Sequence, residues 1–80
     1  MRRPQSFGIG LLRARQQRGL TQLELATKSG VSTSFIASLE NERSLWPRLN
    51  LAVRLADGLN ITIDELVDFG NIYESKHATQ

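Results

Sequence analysis

The chain of 80 residues is 40% hydrophobic and carries ten Lys and Arg against eight Asp and Glu, a formal charge of +2; that is material for one small core and no second one. It has no cysteine, which excludes a disulfide framework and is compatible with a reducing cytosol. No apolar run approaches the ~20 residues of a membrane span, and the first residues lack a signal-peptide core, so a soluble, cytoplasmic protein is expected.

In chain order, residues 1–5 form an expected flexible arm with Arg2 and Arg3 ahead of Pro4. A first helix is predicted over 6–18, capped by Ser6. Phe7, Leu11 and Ala14 recur at helical spacing and should face the core. Gly8 and Gly10 should weaken this helix by up to about 1 kcal/mol each relative to alanine. Ile9 and Leu12 fall on its outer side, where the C-terminal tail could cover them.

The stretch from Thr21 to Asn41 reads as two short helices joined by a tight turn. Thr21 and Glu24 have capping-box spacing, so a helix is predicted over 21–28. Ala26 is small enough for a close crossing, and Gly30 can take the left-handed conformation that ends the helix. Ser32 can cap the next helix, predicted over 32–40. Ile36 and Leu39 share one face of it, whereas Ser34, Ala37, Ser38 and Asn41 share the opposite face and are left free to touch something else.

After Asn41 a loop is expected, in which Pro47 holds Trp46 extended, to close the core or to stack against sugar-phosphate, with the core favoured. Pro47 suits the first turn of a fourth helix over 48–59, whose buried stripe is Leu49, Ala52, Leu55, Ala56 and Leu59. Asn60 can adopt the left-handed ending, and Thr62 with Glu65 repeats the capping box for a fifth helix over 62–69. Gly70 is expected to end it, leaving 71–80 as a mostly polar tail whose His77 is solvated. The predicted fold class is all-α, with a single unit over 6–70.

Charge is unevenly spread. Residues 1–54 carry nine basic and three acidic side chains, a balance of +6, and residues 55–80 carry one basic and five acidic, a balance of −4. The basic part contains the two-helix motif, as a phosphate-facing surface requires.

Taken together, Gln22, Leu25, Ala26, Gly30, Val31, Ser32, Ile36, Leu39 and Glu40 resemble the TQ-x-x-LA…G-V-S…I…LE pattern of the Cro/Xre family of bacterial and phage helix-turn-helix repressors. Phe7, Gly8, Leu11 and Arg15 are similar to its first helix, Pro47, Leu55, Ala56 and Leu59 to its fourth, and Ile61, Asp64 and Leu66 to its fifth, so the likeness covers roughly 6 to 69. The resemblance implies a five-helix, lambda-repressor-like domain that binds double-stranded operator DNA as a homodimer and represses or autoregulates transcription. It also implies an ion pair between Arg15 and Glu40, a backbone-phosphate contact from Gln22, and a dimer contact at Asn60, Ile61, Thr62 and Ile63.

Within that frame Thr33, Ser34, Ala37 and Ser38 are the candidates for reading bases in the major groove. All are short, where the family often carries Gln, Arg or Lys, so direct readout should be modest and DNA shape and water should weigh more. Gln22 sits in the first turn of a helix, where free N–H groups and the dipole favour an anion; Asn41, Arg43 and Arg48 complete the expected phosphate set. Phe35 is assigned to packing. Glu42 stands where the family commonly has glycine, and a left-handed residue there would cost about 1–2 kcal/mol. No metal-ligand cluster, cofactor loop, small-molecule site or catalytic constellation is recognised, so no enzyme activity is expected. The alternative is an antitoxin or protein-interaction module on the same fold, with weak or accessory DNA binding.

Overall fold

Side-chain caps set the helix starts. The computed structural model describes residues 6–42 and 45–78, the side chains of 71–78 apart. Its helices are α1 (Phe7–Gln17), α2 (Gln22–Ser29), α3 (Thr33–Asn41), α4 (Leu49–Leu59) and α5 (Ile63–Ala78), and the described residues contain no strand. Ser6, Thr21 and Ser32 each accept a backbone N–H three residues on, at 3.2, 3.0 and 3.1 Å, so each begins its helix from outside it. Thr21 and Glu24 form a reciprocal capping box, as do Thr62 and Glu65. Gly30 and Asn60 close α2 and α4 in the left-handed region, at φ 74° and 59°.

The core is assembled from Phe7, Leu11 and Ala14 of α1, Leu25 of α2, Val31 from the turn, Ile36 and Leu39 of α3, Ala52, Leu55, Ala56 and Leu59 of α4, and Leu66 of α5. Ala26 and Phe35 are partly buried and pack against this cluster. α1 packs on both α3 and α5, while α2 packs on α3 and α4. The helix-turn-helix pair is therefore gripped from two sides.

Several expectations are corrected. The fifth helix does not end at Gly70 but continues to Ala78. Gly70 is buried, and a β-carbon on it would stand 2.6 Å from the Ser6 carbonyl oxygen and 3.7 Å from the Gly10 nitrogen. Its small size serves a close crossing of α1 and α5, not a chain reversal. The Gly10 backbone lies as close from the other side, since a β-carbon there would meet Gly70 N and Leu66 O at 2.8 Å.

Leu49, assigned to the buried stripe, is 72% exposed. Leu49 heads α4, and Asn50 beside it is exposed as well, whereas Leu55, Ala56 and Leu59 further along the helix are covered. Pro47 lies one residue before the cap Arg48 and not inside the helix. Trp46, assigned to the core, remains 44% exposed: Phe7 already fills the interior, and the indole rests on it from outside, with ring centroids 5.9 Å apart and planes tilted by 57°. Glu42 is extended at φ −111°, ψ 105°, so the loop leaves α3 without a left-handed residue at that position.

Candidate nucleic-acid interface

α3 is held by one face and open on the other. Ile36 and Leu39 are fully buried, whereas Ser34 and Asn41 are exposed and Thr33, Ala37 and Ser38 half-buried. The open face is thus uncharged, small and rich in hydroxyls, and Ser32 is committed to capping the helix that carries it. Hydroxyls both donate and accept, so such a face can meet either type of base edge, one hydrogen bond at a time.

Of the expected phosphate set, Gln22 is in contact with α3 through its amide hydrogen bond to Glu40. Gln22 is the first residue of α2 and half-buried, and Arg48 is the exposed cap residue of α4. Asn41 is exposed at the last turn of α3. Arg43 lies outside the described residues, as do Arg2 and Arg3 of the expected arm.

Behind this surface Arg15 and Glu40 form a bidentate pair, Nε to Oε2 at 2.8 Å and Nη2 to Oε1 at 2.9 Å. Their side chains are 13% and 4% exposed. Arg15 Nη1 also donates to the Leu20 carbonyl at 2.8 Å, and the Gln22 amide donates to Glu40 Oε1 at 2.9 Å. The Glu40 hydrogen bonds raise the Arg15 pKa above the ordinary arginine range, against the opposing effect of burial. One carboxylate therefore binds α1, the start of α2 and the end of α3 together. Eighteen residues separate Gln22 from Glu40; no periodicity links positions that far apart, and only the packed helices bring them into reach.

The expected pairing surface is accessible: Asn60 and Thr62 are exposed, Ile61 and Ile63 half-buried. It continues into an apolar groove lined by Phe7, Trp46, Pro47, Leu49, Ile63 and Val67. Sequence patterning missed this groove, because it had placed Trp46 and Leu49 inside. Among the described residues no group of His, Cys, Asp and Glu could hold a metal ion, and none of their helices is long and apolar enough to cross a membrane.

Comparison with known proteins agrees with this geometry. A helix-turn-helix family model matches residues 11–66. The chain is 36% identical over 73 residues to the HTH-type transcriptional repressor RghR of Bacillus subtilis (strain 168), covering 91% of this chain but 54% of that protein, so it spans about half the length of this curated relative. It is also similar to the crystal structure of the restriction-modification controller protein C.AhdI from Aeromonas hydrophila, with a TM-score of 0.69 and 33% identity over 75% of this chain and 89% of that one. The chain belongs to the Cro/Xre type of the helix-turn-helix family, a family of DNA-binding transcriptional regulators.

Proposed function

We propose that this protein represses or autoregulates transcription by binding double-stranded operator DNA as a homodimer, with α3 in the major groove. The observation that carries the proposal is the two-sidedness of α3: it is locked by Ile36, Leu39 and Glu40, yet presents an unpartnered hydroxyl-bearing face. Thr33, Ser34, Ala37 and Ser38 read bases, while Gln22, Asn41, Arg43 and Arg48 hold phosphates and set the register. Arg15 and Glu40 are structural. Residues 6–70 are the DNA-binding unit, beyond which α5 runs on to Ala78. The role is binding without catalysis, and it is carried out in the cytoplasm.

Dimerisation follows from specificity. One short helix bearing hydroxyls discriminates only a few base pairs, each worth about 1–3 kcal/mol, too little against a genome of competing sites. A two-fold pair doubles that discrimination and requires half-sites about one turn, ~34 Å, apart. The 60–63 surface is the contact, with the neighbouring apolar groove as its extension. Those exposed apolar side chains also favour a second reading, a protein-interaction module such as an antitoxin.

A footprint of the purified protein on the DNA upstream of its own gene decides between these. Protection of two related half-sites, with base preference altered by Ser34→Ala or Ser38→Ala, is the expected result. An arginine variant that changed base preference, with serine variants that did not, would reverse the roles assigned. Absence of protection at any site would leave the interaction module.

A further inference from the structure

The Gln22 carboxamide is tethered before any DNA arrives. Its Nε2 donates to Glu40 Oε1 at 2.9 Å, and that oxygen also accepts Arg15 Nη2 at 2.9 Å, while Oε2 takes Arg15 Nε at 2.8 Å. An ionised carboxylate only accepts, so turning the amide over would set oxygen against oxygen. The nitrogen side is therefore the side that faces Glu40. An amide nitrogen has two N–H donors, and Glu40 takes one. The other is left to the half-exposed side of a residue that heads α2, where backbone N–H groups lack helical partners and the dipole favours an anion.

We infer that Glu40 is a positioning residue for DNA binding: it clamps the Gln22 carboxamide so that the second Nε2–H is presented to a backbone phosphate. The inference rests on Gln22 being a phosphate ligand. A free glutamine loses side-chain freedom when it binds, whereas here most of that freedom is already lost on folding. Glu40 does this without repelling the phosphate, because it is buried and its charge is matched by Arg15 at 2.8 Å. The clamp also ties the phosphate contact to the last turn of α3, so backbone register and base reading are set by one rigid unit.

The test is a double-mutant cycle on a short duplex of random sequence at low salt, where phosphate contacts supply essentially all of the affinity. Gln22→Ala, Glu40→Ala and the double variant are titrated well below the melting temperature of the least stable. Gln22→Ala is expected to weaken binding by about tenfold, the loss of one hydrogen bond to a charged group. Glu40→Ala removes both acceptor oxygens together with a negative charge; the loss of charge acts alike in both backgrounds and cancels in the cycle. Its remaining effect should be severalfold more harmful with Gln22 present than in the Gln22→Ala background. Equal effects in both backgrounds would overturn the clamp and leave Gln22 as a ligand. No effect of Gln22→Ala would overturn the phosphate contact itself, and the clamp with it. A second measurement needs no Glu40 variant: side-chain amide relaxation of the unliganded protein should give Gln22 an order parameter near the rigid value of about 0.85, and a value below about 0.6 would overturn the clamp.

Discussion

Gly8→Ala sets a local effect against a tertiary one. In a helix interior alanine is better than glycine by about 1 kcal/mol, so on local grounds the substitution stabilises α1, by at most that amount at its second residue. In the folded protein, however, Gly8 is buried and its added β-carbon would overlap the Leu39 carbonyl of α3, with the Glu40 Cα at 3.1 Å behind it. These are backbone atoms that cannot rotate aside, so α1 and α3 must separate. Overpacking of this kind costs about 1–3 kcal/mol, and an obstruction by backbone belongs at the upper end. Subtracting the helix gain leaves a net loss of about 2 kcal/mol. For a domain of this size each kcal/mol moves the melting temperature by about 4–8 °C, so a fall of roughly 8–16 °C is expected. Thermal melts followed by circular dichroism at 222 nm check it. A cooperative transition at or above the wild-type temperature would refute the packing argument, and Gly10→Ala, facing Gly70 and Leu66 at 2.8 Å, should move in the same direction.

Arg15→Ala strands the Glu40 carboxylate, only 4% exposed, and should destabilise by up to the 3–5 kcal/mol typical of a broken buried pair, whereas exposed Ser34→Ala should stay within about 0.5 kcal/mol; similar melting temperatures for both would count against a structural role for the Arg15–Glu40 pair. Because pairing raises the folded pKa of Arg15, its stabilisation is complete at every pH below the unfolded value and is lost only as pH rises through the folded one. The difference in melting temperature between wild type and Arg15→Ala should therefore not shrink from neutral to mildly alkaline pH. Affinity for DNA should drop steeply with salt, and Arg43→Ala or Arg48→Ala should each reduce the slope of log K against log salt by about 1; an unchanged slope removes that arginine from the phosphate set. Ile63→Arg should abolish joint occupancy of a two-fold site while sparing binding to an isolated half-site, read by band-shift stoichiometry, and full cooperativity in that variant would move the dimer contact elsewhere.

What the sequence determined by itself was local or periodic. Caps at Ser6, Thr21, Ser32 and Thr62 act through hydrogen bonds to neighbours three residues away, and the left-handed closures at Gly30 and Asn60 are properties of single residues. The inward faces of α1 and α3 followed from spacing alone, and with them the free face of α3. Other features were decided only when helices met. Gly8, Gly10 and Gly70 looked like weak points or stops, but each is a place where two backbones come too close for a β-carbon. Leu49 has the spacing of a core residue yet is uncovered, because burial depends on what lies across from a turn and not on its place in the wheel. Gln22 and Glu40 were singled out separately, one as an expected phosphate contact and one as half of an ion pair. Their mutual hydrogen bond was not, since hydrogen bonding needs atoms within about 3 Å, and contact between residues eighteen apart is created by the packing of α2 against α3.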